Sequence, residues 1–175
     1  MMQRDFETLV LPLLDGLFRT SLRMVHDETA AERCVELTYV EASRSFDGIS
    51  EMAPLRVWLF QILFRTIRNH GGYWSQLREW LRFSDRPQTH YVPDSPCQSE
   101  HDRILHVLDN IPTPLREVLL LSDVEDFSGT EIKTILGISL DVIAARLVEG
   151  RARLRAELSD SAVGKTELLE GGATA

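Results

Sequence analysis

Residues 128–154 read SGTEIKTILGISLDVIAARLVEGRARL, and they carry the clearest structural signal in the chain. Ser128 and Glu131 have the spacing of a capping box, which predicts the start of a short helix. Gly137 predicts its end, and Ser139 is placed to cap a longer helix that follows. Apolar residues recur inside both helices at helical spacing: Ile132, Ile135, Leu136, Ile143, Leu147 and Leu154. The pattern predicts a helix-turn-helix, whose second helix can enter the major groove of DNA.

The same spacing also fits an ordinary helical hairpin, so the outer face of the second helix has to be considered separately. That face is poor in groups that hydrogen-bond to bases, since Ala144, Ala145, Val148 and Glu149 occupy it. Its arginines lie early at Arg146 and late in the helix, where contact with phosphate is more natural than contact with bases.

The sequence on the amino-terminal side predicts further helices. Residues 5–25 carry an apolar stripe of helical period, with a bend or a late helix start expected near Pro12 because proline removes one backbone hydrogen bond. A second helix is predicted to begin near Thr29, which has capping-box spacing to Glu32, and to run to about Arg44.

Two more helices follow in the predicted first half. One runs from Pro54 to Asn69 and is expected to stop at Gly71-Gly72. A shorter one is expected from about Trp74 to Phe83. No strand pattern competes with any of these helices.

We therefore predict an all-α fold of two small helical domains joined by a flexible linker, with the helix-turn-helix in the second. The first domain spans residues 1–84. Residues 85–101 form the linker, because they are polar, contain three prolines and show no period. The second domain spans residues 102–158, and residues 159–175 are expected to form a disordered tail.

Charge restricts the ways in which this chain can bind nucleic acid. The 175 residues contain 19 Lys plus Arg and 27 Asp plus Glu, for a net charge of -8. Bulk positive charge therefore cannot drive binding, and local basic patches are needed. Residues 56–86 supply one, with six arginines, two acids and seven of the thirteen aromatic residues. Arginine beside aromatic rings suits phosphates and unstacked bases, although such aromatics can equally be core residues beneath a solvated arginine face.

Several other classes of protein are excluded by what the sequence lacks. No apolar run is long enough for a membrane span, and Arg4, Asp5 and Glu7 do not fit a signal peptide, so we expect a cytoplasmic protein. The spacing of Cys34 and Cys97 suits neither a disulfide framework nor zinc, and a set of His90, Cys97, His101 and His106 matches no zinc pattern. We expect no metal, no cofactor and, since no catalytic motif is present, no enzymatic activity.

Taken together, the chain resembles a divergent extracytoplasmic-function sigma factor of the bacterial sigma-70 family. The segments that carry the resemblance occur in order over residues 5–158. In the first half they are LPLL at 11–14, LFR at 17–19, AE at 31–32, TYVEA at 38–42 and WLFQIL at 58–63. In the second half they are IP at 111–112, LREV at 115–118, EI at 131–132, ILGI at 135–138, RL at 146–147 and RARL at 151–154.

The resemblance implies partners and site residues. The first domain would bind core RNA polymerase through Glu32, Arg33 and Glu36, and would bind the -10 element of promoter DNA through Arg65, Arg68, Asn69 and His70, with Trp58 in the core. The second domain would read the -35 element with its helix-turn-helix, at Ser139, Asp141, Ala144, Ala145, Arg146, Glu149 and Arg151. Sigma factors of this class are usually held by an anti-sigma protein, which is a further expected partner.

The chain departs from the family where function is expected. Arg33 and Glu36 replace the usual Asp and Gln of the polymerase-binding stretch. In the reading helix, Ala144, Ala145 and Glu149 occupy positions where the family usually has hydrogen-bond donors. These departures motivate an alternative, a degenerate sigma-like regulator that binds polymerase or an anti-sigma protein without reading promoter DNA. A free-standing helix-turn-helix repressor or activator is a second alternative.

Overall fold

The computed structural model describes the backbone of residues 2–46, 54–81, 107–108 and 110–170, and the side chains of residues 6–46, 54–69, 107–108 and 110–159. Within those ranges every regular element is helical, which confirms the all-α class. The α-helices are α1 (Met2–Val10), α2 (Leu14–Val25), α3 (Glu28–Ser45), α4 (Leu55–Leu81), α5 (Thr113–Leu119), α6 (Gly129–Leu136) and α7 (Leu140–Glu170).

The α-helical hydrogen bonding is interrupted at Pro12. A 3-10 turn at Leu11–Leu13 separates α1 from α2, and Pro12 lies in it. The helix after this turn ends at His26, whose backbone is left-handed with φ 56°. The break lets α1 and α2 bury Phe6, Val10 and Leu17 against the same core.

The start of α3 differs from the prediction by one residue, and its cap is a different side chain. Asp27 is the N-cap, with extended backbone at φ -148°, and its carboxylate accepts a hydrogen bond of 2.7 Å from the Ala30 N–H. Thr29, which has capping-box spacing to Glu32, lies inside the helix instead. Asp is as good an N-cap as Thr, and the left-handed residue before Asp27 directs the chain into the helix at this point.

The prediction that a helix stops at Gly71-Gly72 is wrong, as is the separate short helix after it. Helix α4 continues through both glycines to Leu81. A glycine costs a helix roughly 1 kcal/mol relative to alanine, but it keeps its N–H donor and its access to helical dihedral angles. The long apolar run that precedes the glycines is compatible with a helix that extends past them.

In the second half, the predicted caps of α6 are confirmed. Ser128 and Glu131 form a complete capping box, and Gly137 ends the helix in the left-handed region at φ 69°. The Val142 N–H donates to Ser139 Oγ at 3.4 Å at the start of α7. The backbone of α7 then remains helical to Glu170, into the segment that we expected to be disordered. The absence of an apolar face does not prevent helix formation where good helix formers predominate.

The two halves pack against each other. Helix α4 contacts α2 and α3 within the first half and α6 of the second half, and α5 contacts both α7 and α2. The ring of Phe60 in α4 meets the ring of Phe127, just before α6, edge-on at 4.9 Å between centroids. One apolar core therefore continues from the first half into the second. The division into domains stays a prediction, and residues 85–101 lie outside the described residues.

Candidate functional surfaces

The candidate DNA-binding residues of α4 whose side chains are described are exposed, and two of them, Arg65 and Arg68, are engaged within the chain. Arg65, Arg68 and Asn69 are exposed, whereas the side chain of His70 lies outside the described residues. Arg65 forms an ion pair with Glu41 of α3. The Arg68 guanidinium donates a 3.1 Å hydrogen bond to the backbone carbonyl of Leu136, the last residue of α6.

The aromatic residues of α4 serve mainly as core. Phe60 and Phe64 are buried, and Trp58 is half-buried against the same core. The alternative in which these aromatic residues are core therefore holds for these three side chains, including Trp58, which was expected in the core. The other four aromatic residues of the basic segment lie outside the side chains that the structure describes. Arginine, rather than exposed aromatic surface, is what the described part of α4 offers to a ligand.

A second candidate surface lies on α3. Glu32, Arg33 and Glu36 are all exposed and share one side of the helix at helical spacing. Arg33 and Glu36 form an ion pair of 2.8 Å with each other, and both side chains are more than half exposed. The pair is therefore accessible to a protein partner, although it offers that partner a balanced rather than an acidic surface.

The candidate reading helix, α7, presents a face with few hydrogen-bond donors. Asp141, Ala144, Ala145 and Glu149 are exposed, and Arg146 is half-buried. Val148 has 73% of its surface exposed on this side of the helix. The face is open to a partner, but methyl groups and carboxylates dominate it.

The arginines farther along α7 are paired. Arg151 holds Asp123 with Nε and one terminal nitrogen, at 3.1 and 2.6 Å, and also reaches Ser122. Burial by itself raises the pKa of Asp123, but the hydrogen bonds from Arg151 and Ser122 outweigh it and lower that pKa below its usual value. Arg153 pairs with Glu149 at 2.8 Å. Each pairing reduces the positive charge that α7 presents to DNA.

Sequence analysis missed the residues that join the two halves. Glu125, half-buried between α5 and α6, accepts a 2.9 Å hydrogen bond from Thr20 Oγ1 and a 2.6 Å ion pair from Arg56. The Arg56 guanidinium also lies 4.3 Å from the centroid of the Phe127 ring, in cation-π geometry. We call Thr20, Arg56, Phe60, Glu125 and Phe127 the latch.

Arg116 of α5 forms a second connection between the halves. Only 7% of this arginine is exposed, and its guanidinium donates to the carbonyls of Ile111 at 3.1 Å and Arg23 at 2.8 Å. It also contacts the ring of His26. Arg23 and His26 lie at the carboxyl end of α2, where the helix dipole and the free carbonyls favour a cation.

The position beside Arg116 holds a carboxylate in an unfavourable environment. Burial raises the pKa of Glu117, and the charges of Arg68, Arg146 and Arg116 offset part of that effect. Arg68 thus interacts electrostatically with α5 as well as binding the end of α6. No signal in the sequence connects residues 68 and 117.

The described ranges contain neither a metal site nor a membrane span. No group of three or more His, Cys, Asp or Glu side chains in those ranges is arranged to hold a metal ion. None of the described helices combines the length and apolar character that crossing a bilayer requires. The free thiol of Cys34 is buried, and burial raises its pKa despite a hydrogen bond from Ser21.

Comparison with known proteins gives consistent matches. A family model described as Sigma-70, region 4 matches residues 101–154. The chain is 24% identical to the ECF RNA polymerase sigma factor SigE of Mycolicibacterium smegmatis, over 86% of this chain, and spans only 60% of that relative's length. It is 27% identical to the RNA polymerase sigma factor CnrH of Cupriavidus metallidurans, over 89% of this chain and 87% of the relative.

Solved structures extend the likeness to both halves. The sigma factor RpoE, in complex with the anti-sigma factor NepR from Bartonella quintana, matches with a TM-score of 0.68 and 26% identity, over 89% of this chain and 98% of that chain. CnrH in complex with the cytosolic domain of CnrY matches with a TM-score of 0.66 and 25% identity, over 90% of each chain. The chain is therefore similar to extracytoplasmic-function sigma factors over about nine-tenths of its length, and residues 101–154 match region 4 of the sigma-70 family.

Proposed function

We propose that the protein is a sigma factor that binds core RNA polymerase, directs it to promoters and is controlled by an anti-sigma protein. The observation that carries this proposal is the extent of the structural match. Sigma factors align with about nine-tenths of the chain, across both halves, whereas a free-standing helix-turn-helix protein needs only the second. This extent also argues against the repressor or activator alternative.

In this proposal the exposed side of α3 contacts polymerase. Glu32, Arg33 and Glu36 supply the polar rim of that interface, where charges mainly set orientation and association rate. Because Arg33 and Glu36 neutralise each other, we expect their contribution to affinity to be modest.

Helix α4 supplies the binding site for the -10 element. Arg65 and Arg68 bind backbone phosphates of the melted strand, and Asn69 and His70 contact exposed base edges. The free energy of holding the opened strand offsets the unstacking of a few base pairs, so melting needs neither a catalytic residue nor a cofactor in this chain. RNA synthesis is the chemistry of polymerase, and the chain acts in the cytoplasm with it.

Helix α7 supplies the contact with the -35 element. Ser139, Asp141, Ala144, Ala145, Arg146, Glu149 and Arg151 line its start and its exposed side. Arg146 and Arg151 provide phosphate contacts, while the alanines allow apolar contact with thymine methyl groups. With so few donors, the second half holds DNA weakly unless polymerase is also bound.

The proposal includes an anti-sigma partner because one similar solved structure holds an anti-sigma factor and another holds a second protein domain. RpoE is bound to NepR in one of them, and CnrH to the cytosolic domain of CnrY in the other. An anti-sigma protein that covers the polymerase-binding surfaces of this chain would prevent polymerase from binding to them.

The -10 assignment is tested by replacing Arg65 and Arg68 together with alanine. Each charge-assisted hydrogen bond contributes roughly 1.5–3 kcal/mol, so open-complex formation should fall about 100-fold or more. Permanganate footprinting of promoter DNA with holoenzyme measures melting, and circular dichroism shows whether helicity is intact. Arg19→Ala is the control, since Arg19 is an exposed arginine that pairs only locally, with Asp15 at 2.8 Å. Unchanged melting in the double variant would refute the assignment.

A degenerate regulator remains the second candidate, and the exposed face of α7 favours it. Ala144, Ala145 and Val148 are exposed where base-reading donors are expected. Such a protein would bind core polymerase or an anti-sigma protein but would yield no specific transcripts.

A further inference from the structure

We propose that the latch closes the two halves into a state in which the DNA-binding arginine Arg68 is held by the second half, so that promoter binding requires the latch to open. The consequence for DNA rests on the proposed function. The closed state itself rests only on the contacts between the halves.

The latch is built as an interface rather than as a chance surface contact. The side chain of Glu125 is 12% exposed, and its carboxylate accepts a hydrogen bond from Thr20 Oγ1 on one oxygen and pairs with Arg56 on the other. A buried carboxylate without these partners would be strongly disfavoured. Opening the halves therefore has to replace both interactions with water.

Apolar contacts complete the latch. Phe127 is 5% exposed and Phe60 is 1% exposed, and their rings meet edge-on across the two halves. Arg56 lies over Phe127, so one side chain joins the charged and the aromatic parts of the contact. Asp126, between Glu125 and Phe127, has left-handed backbone at φ 55°, a conformation that is less costly for Asp than for most residues.

The closed state reaches the proposed DNA-binding surface through α6. Helix α6 begins just after Phe127 and ends at Leu136. The backbone carbonyl of Leu136 accepts the hydrogen bond from Arg68. The positive charge of Arg68 also acts on Glu117 of α5, where it offsets part of the rise in pKa that burial causes. A phosphate that binds Arg68 must compete with these two groups, although Arg68 is not buried by them.

The local charge of one segment of the first half favours closing. Residues 56–86 carry about +4, whereas residues 87–175 carry 8 basic and 15 acidic side chains, for a charge of -7. At short range these opposite charges attract the second half to the basic segment and strengthen the contact at low salt. Promoter DNA, which is also acidic, would compete with the second half for the same basic helix.

The test measures the distance between the halves in the full chain. Spin labels are placed at Ser43→Cys on α3 and Lys133→Cys on α6, both exposed positions, in a chain that carries Cys97→Ser. Cys34 is buried and is retained. Double electron–electron resonance should give one narrow distance distribution for the otherwise unchanged protein.

Glu125→Lys should open the latch, because it places two cations together and should broaden the distribution to longer distances. Adding Arg56→Glu to this variant restores an opposite-charge pair and should restore the narrow distribution. Glu157→Lys is the charge-matched control, since Glu157 is an exposed residue of α7, and it should leave the distance unchanged. A narrow distribution in Glu125→Lys would overturn the proposal, as would broadening that Arg56→Glu does not reverse.

A second measurement follows the consequence for DNA. The probe is a fluorescent single strand that carries the -10 sequence of a promoter transcribed by the holoenzyme. If the closed state is about 90% populated, opening should tighten binding by up to about 10-fold relative to Glu157→Lys. Equal affinity in an opened variant would refute the competition at Arg68. If no promoter is transcribed, the proposed function fails, and the distance measurement alone still decides the latch.

Discussion

At the scale of single residues, Glu117 shows how burial and nearby charge oppose each other. Burial raises its pKa more than Arg68, Arg146 and Arg116 lower it, so the pKa in the folded state lies above the ordinary value of 4.5. The folded state therefore binds this proton more tightly than the unfolded state does. The resulting stabilisation is complete below pH 4.5 and is lost as pH rises through the raised pKa.

Glu117→Gln should consequently increase the free energy of unfolding at neutral pH and make little difference below pH 4.5. The neutral amide avoids the cost of burying a carboxylate, and that cost exists only where wild-type Glu117 is ionised. Urea unfolding of both proteins over a pH series measures the difference. An equal difference at all pH values would show that packing, rather than ionisation, controls this site.

Residues with local partners were predictable, and those with distant partners were not. Ser128, Glu131 and Gly137 were assigned correctly because a helix end is specified within a few residues. Glu125 and Arg116 gave no signal, because each binds partners in the other half. The partners of Glu125 lie about 70–105 residues away along the sequence, and those of Arg116 lie 90–93 residues away. Arg68 was predicted as a DNA ligand, but its bond to Leu136 depends on packing between halves.

At the scale of elements, the close packing of α5 against α7 depends on one glycine. A Cβ atom at Gly150 would lie 2.9 Å from Leu119 Cδ1 and 3.1 Å from Leu119 Cγ. Leu119 is 1% exposed, so its side chain has little room to move away. Gly150 therefore permits α7 to approach α5 more closely than any other residue would allow.

Gly150→Ala should lower the free energy of unfolding by about 1 kcal/mol, because overpacking costs about 1–3 kcal/mol and the higher helix propensity of alanine returns about 1 kcal/mol. Chemical denaturation measures the change. Gly129→Ala is the matched control, since its added Cβ would meet Leu140 at an ordinary 3.6 Å and should not destabilise the protein. A stabilised Gly150→Ala would mean that α5 and α7 separate easily.

Helix faces were easier to predict than helix ends. The buried positions of α3, among them Ala31, Thr38 and Ala42, recur at helical spacing, because burial on one face imposes the helical period on the sequence. The end of α4 was placed too early, because a glycine pair changes the free energy of a helix by an amount that the rest of the helix can outweigh. The backbone of α7 stays helical past residue 159, since a helix needs no apolar face to form.

At the scale of the whole molecule, the acidic charge limits how the protein can use DNA. A net charge of -8 argues against unassisted adhesion to DNA, and the second half carries most of that charge. The structure adds that Arg65, Arg68, Arg151 and Arg153 are each paired within the chain. In the proposed function, polymerase would therefore hold the protein on a promoter, which suits a sigma factor better than a free-standing repressor.

The order of the two helical halves was predictable, whereas their contact was not. The order follows from motifs that each lie within one segment of the chain, such as those at residues 58–63 and 131–138. The contact depends on complementary surfaces, and neither half reveals the shape of its partner surface in its own sequence. Phe127 shows this directly. It packs on Phe60 of the other half, and nothing in its own segment indicates that contact.

Run-off transcription tests most directly whether the protein directs core RNA polymerase to promoters. Purified protein is added to core RNA polymerase that lacks any other sigma factor, on a library of genomic fragments, and the transcript start sites are mapped by sequencing. The account predicts a small set of specific start sites that depend on the protein and are lost with Arg65→Ala plus Arg68→Ala. Stable binding to core polymerase without any specific transcript would contradict it and would identify the protein as a regulator that no longer reads promoters.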